Sequence, residues 1–127
     1  MKLIPLRNLV LVGTLLLFSY MILESEVLIE GTFDTLVTGG AGFVGHHVLM
    51  KMPNAVGIDS FNNYYDVSLK YKRAKISGRV IEGNVCDIVL MRRIIHKYNI
   101  KKVIHLAAQA GVSYSLNNPQ ENVKYNV

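Results

Sequence analysis

The chain carries too little cysteine to cross-link itself. Cys86 stands alone among 127 residues, which excludes an internal disulfide. Three Cys or His ligands at zinc spacing are absent too, so no metal site is expected. Blocks of five or more like charges are missing. The formal charge is +5, yet its Lys and Arg fall mainly at 70–79 and 92–102, interleaved with apolar positions at helical spacing. That pattern reads as solvated helix faces, and no nucleic-acid partner is expected. A mild positive balance suits small anionic ligands. Internal repeats and low-complexity tracts are absent. Proline is scarce, three in all, and two of them punctuate helices. Pro53 ends one after Met52, and Pro119 opens another.

Apolar residues are plentiful, at 50% of the chain, and the length suits one domain of ordinary size. Part of that apolar share is a run from Leu9 to Leu23. Lys2 and Arg7 precede it, and Glu24, Glu26 and Glu30 follow it. As a helix these residues span about 22 Å, short of the roughly 30 Å hydrocarbon core unless flanking residues help. A membrane anchor, a cleaved signal and a buried helix are the competing readings. No small-x-small cleavage site follows Leu23, which favours an uncleaved anchor. Basic residues before the run place the N-terminus in the cytosol and the rest on the lumenal, Golgi- or ER-type side. Without an anchor the domain is expected in the cytoplasm. Residues 1–30 are thus expected to be an anchor or signal with a short linker, and residues 31–127 a separate domain.

The stretch that organises that domain is Thr38-Gly39-Gly40-Ala41-Gly42-Phe43-Val44-Gly45. It follows a short run, 33–37, that reads as a buried strand. It precedes 46–52, which reads as a helix. A glycine-rich turn between strand and helix brings the main chain close to a phosphate and offers it unpaired N–H groups. Gly40, Gly42 and Gly45 fit G-x-G-x-x-G, the dinucleotide fingerprint. Gly39, Gly42 and Gly45 fit the G-x-x-G-x-x-G variant. Asp59 closes the next apolar run, 55–59. A carboxylate there accepts hydrogen bonds from a ribose diol and repels a 2′-phosphate, so NAD is favoured over NADP.

Further elements follow at regular spacing. A polar, aromatic loop covers 60–65. Asp66 caps a helix over 67–74, and 79–82 reads as a strand. Asp87 caps another helix, with Ile88, Met91, Ile94, Ile95 and Tyr98 on one face. Residues 102–106 read as a fourth strand. Asn118, Pro119 and Glu121 complete a capping box for a last helix. The order β-α-β-α-β-α-β-α argues for a parallel, helix-covered sheet of four strands with an open edge.

Together, the Gly39–Gly45 bend, Asp59 and the run His105-Leu106-Ala107-Ala108-Gln109-Ala110-Gly111-Val112 resemble the extended short-chain dehydrogenases that modify nucleotide sugars. The stretches 59–70 and 108–115 are most similar to the UDP-glucuronate 4-epimerases among them. The resemblance runs from about Thr35 to Val127 and leaves out the first thirty residues. It implies a Rossmann-like α/β fold, NAD as cofactor, a UDP-sugar as substrate and room for a homodimer. It also implies epimerisation through a 4-keto intermediate, with UDP-glucose 4-epimerase and UDP-glucuronate decarboxylase as alternative activities. A non-catalytic NAD-binding fragment is the alternative of another class.

The resemblance also implies roles for single residues. Gly39, Gly42, Phe43, Val44 and Gly45 would hold the pyrophosphate. Asp59, Ser60, Asn62 and Asn63 would hold the adenosine ribose, and Asn84 and Val85 would face adenine. Leu106, Ala107, Ala108 and Gln109 would line the path to the nicotinamide ribose, with Asn126 behind them. Two positions depart from the pattern. Asn84 replaces an acid, and Ser113 stands where an arginine is usual, which bears on recognition of an acidic sugar. The segment from Gly45 to Asp59 is also short by about one helical turn. The Tyr-x-x-x-Lys pair that does the proton chemistry in this family is expected beyond residue 127. No catalytic residue is therefore assigned, and this chain is expected not to turn over alone. Two local matches, Tyr71 with Lys75 and Tyr98 with Lys102, lie in the wrong elements. His46, His47, His96 and His105 read as structural or surface residues.

Overall fold

The computed structural model describes residue 14, residues 29–109 and residues 111–126. The chain divides into two units, Met1–Glu30 and Gly31–Val127. The apolar run at 9–23, with its anchor and signal readings, lies outside the described residues except for Thr14. Among the described residues, no helix is long and apolar enough to cross a membrane.

The second unit is built from β1 (Thr35–Thr38), α1 (Phe43–Lys51), β2 (Ala55–Asp59), α2 (Val67–Ser77), β3 (Val80–Glu82), α3 (Ile88–Tyr98), β4 (Lys102–His105), α4 (Val112–Asn117) and α5 (Pro119–Asn126). The strands form one sheet in the order β3-β2-β1-β4, all parallel. Each connection between successive strands contains a helix, as parallel pairing requires. The fold is Rossmann-like α/β.

The central strands are buried along their whole length, β1 from Thr35 to Thr38 and β2 from Ala55 to Asp59. Side chains alternate between faces, so a strand buried at every position is covered on both. Val37, Leu49 and Ala55 form one core cluster, against which Val48, Met52, Val80 and Ile104 pack. Phe33 is not in β1. It packs edge-on against Tyr98 of α3, ring centroids 5.3 Å apart. Edge strand β4 is more open, and Val103 is exposed.

Several boundaries differ from the sequence reading. α1 begins at Phe43, because Gly42 serves as its N-cap and the last residues of the glycine bend are its first turn. It runs to Lys51, and Met52 closes it by donating its N–H to Val48. α2 runs on to Ser77 and stops at Gly78, whose φ of +64° is a left-handed terminus. Asp66 caps its start, and the bonds from Ser68 hold that carboxyl below its ordinary range. A short helix, α4, was not anticipated.

Candidate functional site

The carboxyl ends of β1, β2 and β4 surround a cavity of about 530 Å³. In open parallel sheets this is where ligands bind, at the point where strand order reverses. Here β1 has β2 on one side and β4 on the other, and the cavity opens between them.

The glycine bend forms its floor, and its glycines do different work. Gly39 has φ +70°, and a Cβ there would press on the Leu106–Ala107 backbone at 3.0 Å. At Gly45 a Cβ would overlap the carbonyl oxygen of Gly39, so α1 starts as close to the bend as backbone allows. Gly40 instead packs against Gly57 of β2, where a Cβ would lie 2.9 Å from its Cα. Gly39 and Gly42 line the cavity, whereas Gly40 does not. The overlapping glycine patterns are thereby separated: 39, 42 and 45 shape the cradle, and 40 seats it on the sheet. Gly42 has no side chain to cap α1. The first N–H groups of a helix lack intrahelical partners and carry its positive dipole end.

Asp59 ends β2 and is buried. Its Oδ2 accepts the N–H of Ala41 at 3.1 Å, inside the glycine bend. Its Oδ1 accepts the N–H of Phe61 at 3.0 Å. A carboxylate has about four lone-pair sites, so two remain. Phe61 has φ +49°, uncommon for a bulky side chain, and its ring stacks on Tyr71 at 4.5 Å. That turn carries Ser60, Asn62 and Asn63 along the cavity wall.

Lys70 of α2 was not singled out from sequence, yet its side chain is only 11% exposed. It donates to the Asn62 carbonyl at 3.1 Å and to Asn62 Oδ1 at 2.7 Å, and its Nζ lies 3.7 Å from Asp59 Oδ1. The available signal was its place on the inward stripe Val67, Lys70, Ala74, where a charge needs a partner. Tyr64 and Tyr65 also line the cavity.

Thr38 joins the strand ends across the floor. Its Oγ1 accepts the N–H of Leu106 at 3.0 Å and of Ala107 at 3.1 Å. Its hydroxyl also pairs with His105 Nδ1 at 2.7 Å. Thr38→Val keeps the shape and removes these bonds, leaving the Leu106 N–H its 3.2 Å bond to the Thr38 carbonyl. A loss of about 1–2 kcal/mol is expected in urea unfolding, with Thr38→Ser retaining most of it.

The cavity lining includes Gly39, Gly42, Asp59, Ser60, Asn62, Asn63, Asn84, Val85, Leu106, Ala107, Ala108 and Gln109. Phe43, Val44, Gly45 and Asn126 are not part of it. The Phe43 side chain points outward, 67% exposed, with Arg73 over its ring, and Val44 is 58% exposed. Asn126 holds Gln109 from behind, accepting its N–H at 2.7 Å and donating to its carbonyl at 3.0 Å. Asn84 Oδ1 already accepts the Cys86 N–H at 2.9 Å, which leaves one lone pair on that oxygen. The side chain of Ser113 lies outside the described residues.

The Tyr-x-x-x-Lys spacings lie elsewhere. Tyr71 faces Glu82 at 3.4 Å, and partial desolvation and that carboxylate raise its phenol above the ordinary value. A base needs the opposite shift. Tyr98 is buried against Phe33, and Lys102 lies 4.0 Å from Asp34.

A family model described as GDP-mannose 4,6 dehydratase matches residues 36–127. UDP-glucuronate 4-epimerase 1 of Arabidopsis thaliana is 45% identical over 106 residues, 77% of this chain and 25% of that protein. The UDP-glucuronate 4-epimerase of Thermodesulfobacterium geofontis is 41% identical over 101 residues, 72% of this chain and 31% of that protein. The chain therefore spans 22–31% of the curated relatives it matches. Among solved structures, a UDP-glucose-4-epimerase from Stenotrophomonas maltophila with bound NAD and formylated UDP-arabinopyranose superposes with TM-score 0.62. Its identity is 28%, over 74% of this chain and 30% of that one. A UDP-glucose 4-epimerase from Brucella ovis in complex with NAD gives 0.58 at 27% identity, over 73% and 28%.

Proposed function

The chain belongs to the GDP-mannose 4,6 dehydratase family, and from that premise we propose that residues 31–127 are the NAD-binding portion of a nucleotide-sugar 4-epimerase. The substrate this reading favours is UDP-glucuronate, taken to UDP-galacturonate. Curated relatives of that activity are 39–45% identical, against 28% and 27% for the solved UDP-glucose 4-epimerases.

The observation that carries the reading is the double engagement of Asp59. One of its oxygens holds the glycine bend and the other holds the turn after β2. The carboxylate is thus fixed between the places where a pyrophosphate and its ribose would lie, with lone pairs to spare. The bend's glycines permit its tight packing, since a Cβ at Gly45 would overlap the Gly39 carbonyl oxygen and a Cβ at Gly39 would press on the Leu106–Ala107 backbone.

Under this reading the Phe43, Val44 and Gly45 amides at the start of α1 hold the pyrophosphate with their N–H groups, which is why their side chains need not line the cavity. Asp59 orients the ribose diol, and Asn84 and Val85 bound the adenine end. Leu106 to Gln109 border the nicotinamide end, with Asn126 fixing Gln109. When bound, NAD supplies a two-electron acceptor for the hydrogen at the sugar carbon. Neither Tyr-x-x-x-Lys spacing lies at the cavity, so proton transfer is assigned to none of these residues. The apolar run 9–23, with basic residues before it, supports a membrane anchor for the same protein.

Calorimetric titration of NAD into the 127-residue chain tests the cofactor reading. Saturable binding with a dissociation constant at or below about 1 mM, near −4 kcal/mol, is expected. No heat at millimolar NAD overturns it.

A further inference from the structure

We propose that Lys70 is a second specificity-determining residue of the adenosine-ribose subsite, and that it leaves the site one substitution away from accepting a 2′-phosphate. The inference rests on the NAD reading above.

An ammonium has three N–H donors. Those of Lys70 reach two oxygens of Asn62, at 3.1 and 2.7 Å. Asp59 Oδ1, at 3.7 Å, is close enough to pair charges and too far for a hydrogen bond. One donor is therefore left over. Lys70 and Asp59 both line the cavity, so the spare donor and the spare carboxylate lone pairs belong to one site. The ammonium is buried, and water cannot fully screen it.

Two consequences follow. The Asp59 carboxylate alone would repel a 2′-phosphate, and Lys70, 3.7 Å away, offsets part of that field. Rejection of NADP then depends on Asp59 keeping its place and its lone pairs, with Lys70 pulling the other way. Removing Asp59 frees a buried cation beside a ribose hydroxyl, the arrangement that recognises a phosphate. Charge at this point acts on the 2′-phosphate and leaves the rest of the cofactor unchanged. The ratio of NADP to NAD dissociation constants therefore isolates it from damage to the fold, which weakens both cofactors alike.

The test is titration of both cofactors at low salt into the native 127-residue chain and into Lys70→Met, Lys70→Arg, Asp59→Ser and the Asp59→Ser/Lys70→Met double variant. Thermal melts confirm that each is folded. Lys70→Met is expected to raise the NADP-to-NAD ratio about tenfold, and Lys70→Arg to leave it within about threefold of native. Asp59→Ser is expected to lower the ratio by at least about tenfold, and the double variant to lose that gain. A ratio unmoved by Lys70→Met, or a double variant that binds NADP as tightly as Asp59→Ser, overturns the proposal while leaving the NAD reading intact. A native chain that binds neither cofactor overturns both. Should Asp59→Ser fail to fold, Lys70→Met and Lys70→Arg decide the matter in the native background.

Discussion

Gly45→Ala is expected to cost about 3 kcal/mol of stability and at least about tenfold in NAD affinity. The added Cβ would overlap the Gly39 carbonyl oxygen and sit 2.9 and 3.0 Å from Gly39 C and Gly40 Cα. All three are backbone atoms, so no rotamer change relieves the clash. Either the first turn of α1 lifts from the bend or the bend moves off Asp59, which holds it through Ala41. Both movements spread the amides that the proposed pyrophosphate site needs. Gly78→Ala is the control. It meets no atom within 4 Å and costs only the strain of φ +64°, about 1–2 kcal/mol, with NAD binding unchanged. Denaturant unfolding and NAD titration of the two variants separate steric contact from backbone conformation. Equal stability losses in both would contradict the close approach at Gly45.

Arg79→Met is expected to lower stability by about 2–4 kcal/mol, because one guanidinium closes the end of α1. Its Nη1 donates to the carbonyls of Met52, Pro53 and Ala55 at 2.9, 2.6 and 3.0 Å. Its Nη2 donates to Leu49 at 2.6 Å. These carbonyls lie at the negative end of the helix dipole and in the turn into β2, so the positive charge is favourable there. A methionine fills the volume of the side chain and satisfies none of the carbonyls. For a domain of this size the loss corresponds to a drop on the order of 10–20 °C in Tm. Arg79→Lys should recover less than half, because an ammonium cannot reach oxygens on two sides as the planar fork does. A change below about 0.5 kcal/mol for Arg79→Met would show that water replaces the guanidinium without cost.

Arg79 and Lys70 share a lesson. Both sit in stretches whose charge reads from sequence as solvated helix face or strand start. Their partners are backbone oxygens of Leu49 and Met52 in one case, and Asn62 with Asp59 in the other. Those partners are unremarkable in sequence, and for Arg79 they lie up to thirty positions away. Nothing in local composition marks a carbonyl as unsatisfied.

The strand, glycine bend, helix and terminal acid of the first β-α-β unit were legible because local chemistry dictates them. Glycine alone permits the bend at Gly39 and the contact at Gly45, and the run 55–59 becomes a strand buried on both faces. Asp59 was legible for the same reason, through its place at the end of β2. Boundaries within that unit were less so, since Phe43 belongs to the helix and Phe33 to the packing against Tyr98. Tertiary structure alone decided which glycines meet the cavity, how Thr38 fastens β1 to the Leu106–Ala107 backbone, and which lysine shares a site with Asp59. The physical reason is range. Backbone conformation and hydrophobic period are set by neighbours in the chain, whereas the pairing of a buried charge or a stray carbonyl is set by whatever the sheet brings alongside.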